Sequence, residues 1–182
     1  MIRIASLLLL LASATLAAQP APTHTPPRGP YSMHASGAEH PEFKPFVGTW
    51  RLVSSTEKLP DGRILPYGFG PRPAGYLIYD ANGYMCAQVM NADRPKWADE
   101  ENPTAAELKT AFDGFAGYCG RYTVDAKAGT AAHIPEIGFD PNLAGHAKPR
   151  NYRFENGRLV YSGTDKTPEG EVVWTMTWER VN

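Results

Sequence analysis

From Phe46 onward the chain alternates apolar and polar positions in short runs, each closed by a turn signal. "VGTWRLVSSTEKL" opens the series and places Trp50, Leu52, Ser54 and Thr56 on one face of a strand. "PDG" at residues 60–62 turns the chain, and a Pro/Gly-rich loop continues to Pro73. "AGYLIYD" and "GYMCAQVMN" read as a hairpin with Asn82-Gly83 at its turn. "GYCGRYTVD", "TAAHIPEIGF", "RNYRFEN", "RLVYSG" and "EVVWTMTWERV" continue the strands, with Asn156-Gly157 marking a further hairpin. The pattern breaks once, in "TAAELKTAFDGF". Thr104 with Glu107 three residues on has the form of a capping box. Leu108, Ala111, Phe112 and Phe115 recur at helical spacing. This predicts one helix of about three turns, ended by Gly114 and Gly117, with an apolar face packed on a neighbour.

Eight sequential antiparallel strands joined by short turns predict an all-β, up-and-down barrel carrying one short helix. A flattened sandwich is the other all-β arrangement. An eight-stranded barrel is just wide enough to be filled by side chains or to hold one small ligand. The last strand shows the clearest contrast. Val172, Trp174, Met176 and Trp178 share an apolar face that should point inward, opposite Val173, Thr175, Thr177 and Glu179. Arg180 continues the inward face, and a lone inward arginine needs a partner or an aromatic surface such as an indole.

The residues before the barrel have a different character. Arg3 precedes "IASLLLLLASATLAA", an apolar run short of the roughly 20 residues that span a bilayer. With small residues at Thr15, Ala17 and Ala18, residues 1–18 read as a secretory signal peptide, an uncleaved N-terminal anchor being the alternative. Residues 19–42 are rich in Pro, Ala and His without apolar period and read as a flexible leader. The domain then covers residues 43–182, in a periplasmic or secreted protein with no further membrane span. His24, His34 and His40 are irregularly spaced, which fits solvated leader histidines better than a metal site. Export also bears on Cys86 and Cys119, the only cysteines. An oxidising compartment permits a disulfide between them, and two buried thiols are the alternative. A net charge of -1 gives no reason to expect a nucleic-acid partner.

No G-x-S-x-G, H-E-x-x-H, C-x-x-C or Gly-rich phosphate loop is present, and no cofactor or metal is indicated. His133 and Glu136 fall on opposite faces of a strand unless Pro135 introduces a bulge.

The start and end of the domain resemble a known family. Gly48-x-Trp50 at the first strand with Arg180 at the eighth is similar to the lipocalin signature. More narrowly, the chain resembles the bacterial and fungal lipocalin-like domain family, of calycin-like barrels, in "GTWRL" (Gly48 to Leu52), "GYLIYDANGYM" (Gly75 to Met85), "GRYTVD" (Gly120 to Asp125) and "TWER" (Thr177 to Arg180). His133, Pro141-Asn142, Gly145 and Arg150 fall where the family places such residues, and the likeness runs from about Phe46 to Val181. It implies a closed-end plug of Gly48, Trp50 and Arg180. It does not extend to the loop motifs of the extracellular transport lipocalins, so retinoid-type or odorant-type ligands are not implied.

Tyr84, Gln88, Arg121, His133, Arg150, Tyr152, Trp174 and Met176 are the candidate lining of a cavity. A few convergent polar groups in an apolar cavity suit a small molecule. The expected function is binding of a small hydrophobic ligand. An isomerase or cyclase with His133 or a tyrosine as acid or base, and a structural domain with a filled core, are the alternatives.

Overall fold

The computed structural model describes residues 40–168 and 170–181. The expected signal peptide and nearly all of the expected leader lie outside these residues. A short 3-10 turn at Pro41–Phe43 leads into β1 (Gly48–Lys58). The order is then β2 (Ile64–Pro66), β3 (Pro73–Tyr79), β4 (Tyr84–Asn91), α1 (Ala105–Asp113), β5 (Phe115–Asp125) and β6 (Thr130–Gly138). A second 3-10 turn (Pro141–Leu143) precedes β7 (Lys148–Glu155), β8 (Arg158–Thr167) and β9 (Gly170–Arg180).

β1 pairs antiparallel with β3, every strand from β3 to β8 pairs antiparallel with its successor, and β9 returns to pair with β1. β1 and β3 to β9 therefore form a closed eight-stranded barrel without free edges. The extra strand β2 continues the sheet beside the far end of β1, where Thr56, Glu57 and Lys58 pair with Pro66, Leu65 and Ile64. The turn chemistry is local. Asn156 and Gly157 both have positive φ (50° and 74°), as a two-residue hairpin turn between Glu155 and Arg158 requires. At the β3–β4 turn an Asp80 carboxylate oxygen accepts from the backbone N–H groups of Asn82 and Tyr84.

Two expectations are corrected by irregular backbone and exposure. Between Leu52 and Ser54 the register of β1 against β9 slips by one residue. Trp50 and Leu52 face inward, but beyond the bulge it is Ser55, not Ser54 or Thr56, that is buried. The helix forms with its full capping box at Thr104 and Glu107 and Gly114 as C-cap, yet buries none of its residues. Leu108 and Phe112 remain about half exposed. Its anchors are a Phe112–Phe139 ring contact and Arg94, whose Nη1 donates to the Ala111 carbonyl at 2.9 Å.

The core is aromatic and concentrated at one end. Phe46 is fully buried, with ring contacts to Tyr79, Tyr122, Tyr152 and Phe154. Phe43 packs nearby against Tyr122 with the rings tilted, 4.4 Å between ring centres. The Trp50 indole N–H donates to the Phe46 carbonyl at 2.7 Å. The Arg180 guanidinium lies 4.2 Å from the centre of a Trp50 ring, and its Nη2 donates to Pro45 O at 2.8 Å. Gly48 has a φ of 125°, and a Cβ there would meet the Arg180 guanidinium at 2.5 Å, so glycine leaves that side chain its place.

Candidate functional site

Strand alternation brings a set of polar rings together inside the barrel. Tyr79 (β3), Tyr118 (β5), His133 (β6), Arg150 (β7) and Tyr161 (β8) come from five different strands. His133 is completely buried. Its Nδ1 lies 2.8 Å from the Tyr118 hydroxyl and its Nε2 is hydrogen-bonded to the Tyr79 hydroxyl. Tyr79 and Tyr161 hydroxyls are 2.7 Å apart. The result is one continuous chain, Tyr118, His133, Tyr79, Tyr161. The Arg150 guanidinium lies 5.3 Å from the Tyr161 ring centre, with Nε and Nη2 donating to Lys148 O at 3.3 and 3.2 Å.

The charge states follow from burial. Removal from water, followed by the nearby Arg150 charge, holds the His133 pKa well below its usual range, so the imidazole is neutral at neutral pH. One ring nitrogen then donates and the other accepts, and the two tyrosines on either side take complementary roles. Burial likewise raises the Tyr79 and Tyr161 hydroxyls, keeping both protonated. Burial alone would pull Arg150 down, but the surrounding Tyr118, Tyr79 and Tyr161 hydroxyls outweigh it and the guanidinium keeps its charge. The site is a neutral hydrogen-bonded chain with one positive charge beside it.

The two ends of the barrel differ. Around the plug the inward side chains are sealed: Phe43, Phe46, Trp50 and Trp178 are each at most 2% exposed. Toward the opposite end Tyr118, Arg150, Trp174 and Met176 keep partial exposure. Tyr67 stacks on Trp174 at that end, 5.9 Å between ring centres, and donates its hydroxyl to Asp165 at 3.0 Å. Burial, then the Asp165 hydrogen bond, raises the Tyr67 pKa to about 12. Trp178 carries a buried indole N–H with no acceptor among the described residues.

Of the residues singled out from sequence, His133 and Arg150 meet in this cluster. Trp174 and Met176 continue the same interior along β9, opposite Gly163 and Tyr161 of β8. Tyr152 lies in the plug, in ring contact with Phe46 and Phe154. Tyr84, Gln88 and Arg121 lie on the outer wall. The inward residues of β4 are Met85, Ala87 and Val89, all buried, which turns Tyr84 and Gln88 to solvent. Arg121 likewise points out of β5, where Nε pairs with Glu136 at 3.1 Å and Nη2 donates to the Tyr84 hydroxyl. His133 faces the interior, whereas Glu136, the extra residue of a bulge opposite Cys119 and Gly120, pairs with Arg121 on the outer wall, so the two do not meet. Cys86 and Cys119, directly opposite in the β4–β5 ladder, are joined as a disulfide on this outer wall. Tyr79 and Tyr161 were not singled out. Their signal is the tyrosine in phase with buried Leu77 in "YLIY" and with buried Leu159 in "RLVY".

Other surface features carry less chemistry. Shallow hollows lie on the outer wall, one beside the disulfide and Ile137, another beside Arg94, Trp97 and Glu100. Among the described residues no group of three or more His, Cys, Asp or Glu could hold a metal ion, and no helix is long and apolar enough to cross a membrane.

Comparison with curated proteins finds no match. Among solved structures, a crystal structure of zebrafish ileal bile acid-binding protein complexed with cholic acid matches at 12% identity. It covers 75% of this chain and 99% of its own, with a TM-score of 0.36, and at that score bears on neither site nor ligand. The model of the family described as "Lipocalin-like domain" matches residues 47–181, the stretch that builds the barrel from Gly48 to Arg180. This chain therefore belongs to the lipocalin-like domain family.

Proposed function

We propose that the barrel is a binding cup for a small, mostly apolar molecule. The observation that carries this reading is the asymmetry of its ends. One end is sealed by Phe43, Phe46 and Trp50, whereas Tyr118, Arg150, Trp174 and Met176 face inward and still keep solvent contact. The Trp174 and Met176 side chains supply an apolar wall, and the tyrosine–histidine chain supplies a few fixed polar groups deeper in. Mass spectrometry of small molecules released from the purified protein tests it. A co-purified apolar compound near one per chain is expected; an empty protein that also takes up no apolar probe would refute the cup.

A second reading rests on the hydrogen-bonded chain through His133. A neutral imidazole between two tyrosine hydroxyls can pass a proton along the line Tyr118, His133, Tyr79, Tyr161. An isomerase or cyclase acting on a bound apolar substrate would use it. Once a ligand is in hand, turnover lost in His133→Gln with binding retained would favour catalysis over storage or transport.

We further propose that the chain is exported, with residues 1–18 removed and 19–42 forming a leader to the domain at 43–182. The apolar run behind Arg3 and the Cys86–Cys119 disulfide support it, since disulfides persist in oxidising compartments. N-terminal sequencing of the native protein should find the mature chain starting just after Ala17 or Ala18.

A further inference from the structure

Several arginines of the outer wall and its loops have carboxylate partners. Arg94 and Arg180 donate instead to backbone carbonyls and Arg158 is exposed to solvent, whereas Arg150 sits in the interior polar cluster without a carboxylate. Arg51 pairs with Glu179, Arg72 with Asp93, Arg121 with Glu136 and Arg153 with Glu155. No carboxylate lies within ion-pair distance of Arg150 among the described residues. Its neighbours are the Lys148 carbonyl, the Tyr161 ring and the Tyr118 hydroxyl. Asp165, at the same end, accepts from the Tyr67 hydroxyl. The Arg150 contacts leave part of a five-donor fork unfilled. Drawing a guanidinium out of water without a counter-anion is costly, and here it is done where the interior still reaches solvent.

We propose that the ligand of this cup supplies the missing anion as a carboxylate, held by Arg150 and the Tyr118 hydroxyl. This rests on the reading of the barrel as a binding cup and names the class of molecule it takes. A planar, singly charged carboxylate matches one guanidinium fork and one hydroxyl. A doubly charged phosphate would leave charge uncompensated beside neutral tyrosines. The hydrogen-bonded chain accommodates the anion. With the His133 proton on Nδ1, that nitrogen donates to the Tyr118 oxygen, and the Tyr118 O–H is free to donate to the ligand. The apolar body of the acid then lies along Trp174 and Met176.

The test is calorimetric titration of the purified chain with octanoate and dodecanoate, each against the alcohol of the same length. The acid is expected to bind at least about tenfold more tightly, the worth of a charge-assisted hydrogen bond. In Arg150→Gln the preference should fall to near parity while the alcohol is little changed, and Arg150→Lys should keep part of it. Equal affinity for acid and alcohol in the unaltered protein overturns the proposal and leaves the cup standing; this comparison needs no variant to fold. A preference that survives in folded Arg150→Gln also overturns it. Failure of acids and alcohols alike removes the cup, and the proposal with it.

Discussion

Trp50 joins three interactions in one side chain: its rings fill the closed end, its N–H holds the Phe46 carbonyl, and its face receives Arg180. Trp50→Ala should therefore cost about 3–5 kcal/mol, the range of large aromatic truncations in a core. Chemical denaturation measures it, and an unchanged midpoint would remove Trp50 from the core. His133 gives a pH signature. Its folded pKa lies below the ordinary 6.5, so the unfolded chain binds the extra proton. Stability should be complete above pH about 6.5 and decline as pH falls below it, with a slope of up to about 1.4 kcal/mol per pH unit. The exposed carboxylates with lowered pKa, Asp61, Asp99, Glu107 and Glu179, have ordinary values of 3.8 to 4.5 and act at lower pH. Stability curves of the unaltered protein and His133→Gln should therefore converge as pH falls from 6.5 toward 5. Parallel curves would show that His133 is not buried neutral. The polar residues of the site were legible in sequence only in part. His133 stood out as the one histidine of a mostly apolar strand and Arg150 because it shares a face with Tyr152 and Phe154, whereas a tyrosine such as Tyr161 reads equally well as core or as site.

At the scale of elements, the strands and turns were readable because period and turn chemistry are local properties. Which way a strand faces was not always so. On β4 both phases carry apolar groups, Met85, Ala87 and Val89 on one and Tyr84, Cys86 and Met90 on the other. The outer wall there exposes Tyr76, Ile78 and Tyr84, so no polar stripe marks the outside. The β1 bulge is equally silent, because "VSST" offers small residues in either register. The helix was identified by its cap, but its apolar face suggested packing that the fold does not supply. Its stability thus rests on its ends. Thr104→Ala should cost about 1 kcal/mol locally. Amide exchange across residues 105–113 should quicken while the melting temperature of the barrel barely moves; a large fall in melting temperature would mean the helix is integral to the core.

For the whole molecule, closure matters more than any single strand. β9 and β1 seal the sheet, and the first and last strands of the domain must meet before the barrel exists. Such long-range pairing makes loop closure costly, and the disulfide spanning 33 residues removes part of that cost from the unfolded chain. Replacing both Cys86 and Cys119 by Ala should cost about 3–4 kcal/mol on the chain-entropy account. Denaturant midpoints of the two proteins compare directly, and equal midpoints would show that the β4–β5 ladder already sets the unfolded ensemble. The same bond has a further effect. It joins the strand that leaves for the longest excursion of the chain, residues 92–114, to the strand that returns from it. Most of residues 92–104 is exposed. A protease that cuts there would divide the polypeptide without dividing the molecule: under non-reducing conditions the two fragments would travel together, and the clipped protein would persist as a two-chain barrel.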